Sequence, residues 1–184
     1  MLSDPTRRAI FLDRDGVINR AVVIDGKPYP PTNVATMEIL PDAANTLQTL
    51  SKAGFLLIVI TNQPDVARKI TTRETVEEIN HYLSSCLPID EFYVCFHEDQ
   101  DGCNCRKPLP GLLLTAAKAH NINLQESYMV GDRWRDIDAG KLAGCQTIFI
   151  DYGYREPQPT LMNFRVKTLA QVAEIILADL LLTQ

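Results

Sequence analysis

The chain has 184 residues, 46% of them hydrophobic and 22% charged, with a formal net charge of −5 and a pI near 5.2. That length suits a single domain over 1–184 with a real core, and leaves no room for a second of comparable size. The acidic balance excludes a nucleic-acid binder, which needs a basic face, and the apolar runs from Phe55 to Ile60 and Ile175 to Ala178 are too short to cross a bilayer.

Met1-Leu2-Ser3-Asp4-Pro5 carries no apolar signal core, so the expected location is cytoplasmic and the expected state a monomer. Thiols stay reduced there. The five cysteines are therefore ligands or core residues rather than a disulfide framework.

Ala9 to Leu12 is an apolar run of strand length that ends at Asp13-Arg14-Asp15-Gly16. In an extended segment residues i and i+2 point the same way, so Asp13 and Asp15 face one small volume beyond the strand end. Two carboxylates so close repel unless a cation sits between them or one keeps its proton. Both outcomes suit catalysis by a Mg²⁺-bound nucleophilic carboxylate with an acid neighbour; a polar turn after a strand is the plainer alternative.

Arg20 to Leu40, rich in Pro and Gly, is an irregular excursion with a short hairpin about Asp25-Gly26. Its place after the acidic loop makes it a candidate for substrate contact. Asp42 can cap a helix to Ala53, stopped by Gly54, with Leu47 and Leu50 inward. Phe55 to Ile60 is a fully buried strand ending at Thr61-Asn62-Gln63. Thr71-x-x-Glu74 matches a capping box for a helix that buries Val76, Ile79 and Leu83 and closes before Pro88.

Phe92 to Val94 is a third strand, entering a cysteine-rich loop. A helix spans Pro110 to His120, Tyr128 to Val130 is a strand ending in Gly131-Asp132, and a helix from Trp134 to Ala143 stops at Gly144. Thr147 to Ile150 is the fifth strand. Thr168 caps a last amphipathic helix with Leu169, Val172, Ile176 and Leu180 on one face and Asp179 turned away.

Strands alternating with helices predict an α/β fold: a three-layer, Rossmann-like open parallel sheet with helices on both faces. Ligands of such sheets bind outside the carboxyl ends of the strands. Asp13, Thr61 and Asp132 all fall there.

Phe-Leu-Asp-Arg-Asp-Gly at 11–16, Thr-Asn-Gln at 61–63, Cys-Arg-Lys-Pro at 105–108 and Val-Gly-Asp-Arg with Asp136 at 130–136 together resemble the four motifs of the haloacid dehalogenase superfamily of aspartate-nucleophile phosphatases. The resemblance runs from Ala9 to Ile150. It implies Asp13 as nucleophile, Asp15 as acid and base, and Thr61 and Lys107 as holders of the phosphoryl oxygens. It further implies Mg²⁺ bound by Asp13, the backbone carbonyl of Asp15 and Asp132, with Asp136 positioning Lys107 or a metal-bound water. Taken singly, these residues fit bland roles as caps and surface charges; a non-catalytic phosphosugar-binding protein and a phosphomutase are the rival readings. The intervals from Gly16 to Asp42 and Gln63 to Arg106 are too short for a large cap domain.

Cys95, His97, Cys103 and Cys105 have the number and type of ligands of a tetrahedral structural Zn²⁺ site, and the polar Glu98 to Gly102 turn between them would not pack without a tie. A Cys95–Cys105 disulfide or unligated thiols are the alternatives. Cys86 and Cys145 are expected in the core. The zinc loop leading into Arg-Lys-Pro is similar to the subfamily of histidinol-phosphate and D-glycero-D-manno-heptose 1,7-bisphosphate phosphatases. That similarity implies a small, polar, sugar-like phosphorylated substrate touched by Asn62, Arg106 and Arg133, with heptose bisphosphate ahead of histidinol phosphate. Two departures fall where substrate is contacted: no His-Gly-Tyr segment stands in 21–29, and Pro64-Asp65 replaces the usual Ser-Gly.

Overall fold

The computed structural model of the protein describes residues 6–182, so the N-terminal stretch read for a signal core lies outside them. Six strands form one parallel sheet: β1 (Ala9–Leu12), β4 (Leu56–Asn62), β5 (Glu91–Cys95), β6 (Tyr128–Gly131), β7 (Gln146–Ile150) and β8 (Phe164–Val166), in the order β5-β4-β1-β6-β7-β8. A separate hairpin, β2 (Val22–Ile24) with β3 (Lys27–Tyr29), turns at Asp25 and Gly26, both with positive φ. The helices are α1 (Ala43–Lys52), α2 (Arg73–Cys86), α3 (Gly111–His120), α4 (Trp134–Ala143) and α5 (Leu169–Leu182).

Side-chain alternation along the central strands builds two cores. Ile10, Leu12, Leu57 and Val59 pack with Leu47 and Leu50 of α1, Ile79 and Leu83 of α2 and Val172 and Ile176 of α5. Phe11, Ile58, Ile60 and Met129 pack on the opposite face with Leu113 and Ala116 of α3 and Ala139 of α4. A sheet covered on both faces needs apolar side chains at every position, which is why its strands are continuous apolar runs.

β1 pairs with β4 on one side and β6 on the other, so the chain departs in opposite directions around β1. This switch point opens a crevice at the strand ends. It sets Asp13, Thr61 and Asp132 side by side.

Several local expectations shift. The cap of α2 is Thr72, whose extended backbone lets its hydroxyl accept from Thr75 N–H at 3.2 Å. Glu74 then falls one position too early for the capping box, yet still lies in the first turn, where a negative charge is favoured. Asp42 precedes α1 but makes no side-chain cap; its Oδ2 accepts from Ala170 N–H at 3.0 Å, tying the start of α1 to α5. Asp179 is not turned away, because the Tyr128 hydroxyl on the sheet donates to it. Cys86, expected in the core, ends α2 in solvent, whereas Cys145 is buried. β8 was not foreseen: three residues after a Pro-rich stretch give no periodicity to detect.

Candidate active site

Asp13 and Asp132 are delivered by the ends of β1 and β6, Lys107 by the loop between β5 and α3, and Asp136 by the first turn of α4. The Asp13 N–H continues the sheet ladder to Val130 O at 2.9 Å, so the carboxylate emerges as pairing ends. Gly131 lets Asp136 approach: a Cβ there would lie 2.1 Å from the Asp136 Cβ. Asp136, in the first turn of α4, also accepts from Arg133 N–H at 3.0 Å.

Lys107 is the hub, although only 1% exposed. Its Nζ lies 2.6 Å from Asp136 Oδ1 and 2.8 Å from Asp13 Oδ1, and donates to Ile60 O at 2.7 Å. Burial alone would push its pKa down, but the charges and hydrogen bonds of Asp13 and Asp136 outweigh burial and hold it above the usual value. Asp13 is pushed up to about 6, first by burial, then by the charge of Asp136, against the pull of Lys107.

Asp132 is held well above the usual carboxylate range by burial and by the charges of Asp13 and Asp136. Neither of its buried oxygens meets a donor at hydrogen-bonding distance and angle, although the Tyr154 phenol is near enough to have its own pKa raised. One oxygen each from Asp13, Asp132 and Asp136 lie within 4.8 Å of one another. Orphaned carboxylate oxygens in so small a volume suit a hard cation such as Mg²⁺.

Gly16 belongs to the same cradle. Its φ is +89°, and a Cβ there would fall 1.9 Å from Asp132 Oδ2. Gly54 shares the left-handed backbone (φ +91°) but faces open space. Gly16→Ala is therefore expected to lower unfolding free energy by about 1–3 kcal/mol more than Gly54→Ala. Urea unfolding of both variants checks this, and equal losses would remove the steric argument.

Asp15 stands apart from the three clustered acids. Its carboxylate accepts from Arg14 Nη2 at 3.1 Å, Asn19 Nδ2 at 3.0 Å and Gln63 Nε2 at 2.9 Å. Gln63 also donates to Thr61 Oγ1 at 2.9 Å. Arg14 is fully buried and donates to Asn80 Oδ1 of α2 at 3.0 Å. The sequence reading assigned no role to Arg14, Gln63 or Asn80. A polar residue at the i+4 position of the buried Val76–Ile79–Asn80–Leu83 stripe was the available signal.

Asn62 is engaged by backbone: its amide donates to Lys107 O at 3.0 Å and accepts from Lys107 N–H at 3.1 Å. Arg106 and Arg133 both line the cavity, of about 290 Å³, together with Asp13, Thr61, Lys107 and the hairpin residue Tyr29. Arg106 Nε donates to Asp99 Oδ1 at 2.7 Å, and Arg135 of α4 reaches the other Asp99 oxygen at 3.2 Å. Arg133 forms a forked pair with Glu156. Arg135, Asp99 and Glu156 sit in no motif. Only folding brings them to the cavity.

Cys95, at the end of β5, meets Cys103, Cys105 and His97 in one cluster. The Sγ–Sγ separations are 3.2, 3.4 and 3.8 Å, and His97 Nδ1 lies 3.2 Å from Cys105 Sγ. A zinc tetrahedron with bonds of about 2.3 Å has edges near 3.8 Å, so the four atoms are placed to close on one such ion. All five cysteines are free thiols.

The HAD-hydrolase-like family model matches residues 104–174. D-glycero-beta-D-manno-heptose-1,7-bisphosphate 7-phosphatase of Helicobacter pylori (strain ATCC 700392 / 26695) is 38% identical over 141 residues, 73% of this chain and 78% of that protein. The chain belongs to the haloacid-dehalogenase-like hydrolase family. The D-glycero-beta-D-manno-heptose-1,7-bisphosphate 7-phosphatase of Pasteurella multocida (strain Pm70) is 30% identical over 184 residues, covering 92% of this chain and 97% of that protein. The crystal structure of D,D-heptose 1.7-bisphosphate phosphatase from B. bronchiseptica, complexed with magnesium and phosphate, superposes with a TM-score of 0.76 at 28% identity, covering 94% of this chain and 99% of that one. This HAD protein is thus a phosphoric monoester hydrolase with the expected α/β fold. No helix among its described residues is long and apolar enough to cross a membrane.

Proposed function

We propose that the protein is a Mg²⁺-dependent, zinc-braced phosphatase that removes the 7-phosphate of D-glycero-D-manno-heptose 1,7-bisphosphate through a phosphoaspartate on Asp13. The observation that carries this reading is the meeting of Asp13, Lys107 and Asp136 in one cavity, 2.8 Å separating the first two, with an Asp132 oxygen within 4.8 Å of Asp13 and Asp136. Asp13, Asp132 and the Asp15 backbone carbonyl would hold Mg²⁺, which would supply the positive charge that a carboxylate needs to approach a phosphate.

Lys107 N–H and Arg14 N–H bonds both fall on Asp13 Oδ1, so Oδ2 is the oxygen that reaches phosphorus. As the Oδ2–P bond forms, the P–O bond to the sugar breaks, and Asp15 protonates the departing alkoxide. Asp15 then takes a proton from water as that water attacks the phosphoaspartate, releasing phosphate and restoring Asp13. The Thr61 hydroxyl, whose oxygen already accepts from Gln63, offers its proton to a phosphoryl oxygen, and the Lys107 ammonium, its three N–H groups taken by Asp13, Asp136 and Ile60 O, sets positive charge beside it. Asp136 keeps Lys107 in place.

A bisphosphate has a second anion to seat. Arg106 and Arg135 share the single Asp99 carboxylate, and Arg106 Nη1 is buried with no partner. Arg106 of the cysteine-rich loop and Arg135 of α4 therefore leave one surplus positive charge at the cavity wall. It can hold the remaining phosphate.

Ranking phosphorylated sugars and amino alcohols by kcat/KM in Mg²⁺ tests the assignment. Heptose 1,7-bisphosphate is expected to exceed histidinol phosphate by about tenfold or more; the reverse order would replace the substrate. Purified protein is expected to hold about one zinc per chain, and stripping it should lower the melting temperature by about 5 °C or more. Zinc-free protein of unchanged stability would refute the structural role.

A further inference from the structure

We propose that Glu156 is a specificity-determining residue: paired with Arg133, it forms a charge-balanced wall of the catalytic cavity that accepts hydrogen bonds from the hydroxyls of a polyol phosphate. The proposal deepens the phosphatase reading above and rests on it.

Glu156 lies between β7 and β8, with a side chain 13% exposed, and lines the cavity that holds Asp13 and Lys107. The segment carrying it is anchored to the β2–β3 hairpin. Arg155 N–H donates to Gly26 O at 2.8 Å, and the Arg155 Cγ would lie 2.8 Å from a Cβ on Gly26. Just upstream, the rings of Tyr152 and Tyr154 stand 5.6 Å apart, with Tyr154 beside Asp132. A chain segment outside every motif is thus fixed against the site at both its aromatic and its acidic ends.

The pairing of charges gives Glu156 its role. Lys107 is matched by Asp13 and Asp136, and Arg133 by Glu156 alone, Nε to Oε2 at 2.8 Å and Nη2 to Oε1. Among the described residues that line the cavity, positive charge without a carboxylate of its own lies where Arg106 and Arg135 share Asp99 and on the exposed hairpin residue Lys27; a second anion is drawn to these, chiefly to the buried and unpartnered Arg106 Nη1, and not to Arg133. A carboxylate has about four lone-pair sites, and the forked pair with Arg133 uses one on each oxygen. The remaining acceptor sites suit hydroxyl donors and repel phosphate. A substrate spanning the cavity then places its reacting phosphate at Asp13, its other anion at the zinc loop and its hydroxylated carbons along Glu156.

The test compares wild type with Glu156→Gln, full length and with Mg²⁺ and zinc bound, on heptose 1,7-bisphosphate and on 4-nitrophenyl phosphate, which has no hydroxyl. The ratio of the two kcat/KM values is expected to fall about tenfold or more, chiefly through a higher KM for the sugar. Equal changes on both substrates, leaving the ratio within about twofold, would reduce Glu156 to a structural partner of Arg133 and overturn the proposal. Should Glu156→Gln not fold, Glu156→Asp keeps the charge and withdraws it by one methylene. It is held to the same two outcomes. A wild type that hydrolyses the aryl ester but not the heptose would remove the substrate assignment; Glu156 is then read with other polyol phosphates, and a flat ratio across that panel overturns the proposal.

Discussion

Asp13→Asn is expected to lower turnover of both a sugar phosphate and an activated aryl phosphate by on the order of 10⁴-fold or more. Asparagine fills the same space and can still accept from Lys107, but it cannot form the phosphoaspartate. Retention of even a tenth of wild-type turnover in Mg²⁺ would exclude covalent catalysis through this residue. The same variant carries a stability signature. The folded-state pKa of Asp13 is about 6 against a reference of 3.8, raised first by burial, so the native protein binds this proton more tightly than the unfolded chain does. Its stabilising contribution is complete below the reference value and is lost as pH rises through about 6. In chelator, the melting temperature of Asp13→Asn relative to wild type is therefore expected to climb between pH 4 and pH 7. A flat difference would mean that the buried carboxylate is not destabilising without its metal.

Lys107→Met is expected to damage both stability and catalysis. Nζ lies within 2.8 Å of two buried carboxylates, and removing it leaves Asp13 and Asp136 in a low-dielectric pocket with no counter-charge among the described residues besides those of the wall arginines. Breaking a buried pair from one side costs about 3–5 kcal/mol, and losing the positive charge beside the transferring group costs about 10²–10³-fold in kcat. Urea unfolding should register the first loss and aryl phosphate turnover the second. The double variant Lys107→Met/Asp136→Asn should regain part of the stability and none of the activity, because it removes one stranded charge without restoring the cation beside the phosphoryl group. Additive stability losses would show that the pair is not coupled.

How far the sequence alone reached follows from how each feature is encoded. β1, β4 and β6 are uninterrupted apolar runs because they are buried on both faces, so they and the acids at their ends were legible residue by residue. The Cys/His cluster was legible for a similar reason: Cys95, His97, Cys103 and Cys105 lie close together in the chain, and their chemistry admits few other uses. Helix ends were less legible. Thr71 and Thr72 are adjacent, and which hydroxyl caps α2 depends on a backbone dihedral that no spacing records. Asp42 looked like a cap and became a tie to α5, because its partner lies more than a hundred positions away.

The sequence by itself determined five of the six strands of the sheet, the acid-bearing ends of β1 and β6, the Cys/His loop and the kinship with aspartate-nucleophile hydrolases, since each is written in local periodicity or short motifs. Only the tertiary structure decided that Lys107 bridges Asp13 and Asp136, that Arg14 and Gln63 hold Asp15, and that Arg135, Asp99 and Glu156 wall the cavity. Apart from that of Arg14 with its neighbour Asp15, those contacts join residues far apart in the chain. Their pairing is set by how the helices and loops pack over the sheet, and it leaves no trace in the order of the amino acids.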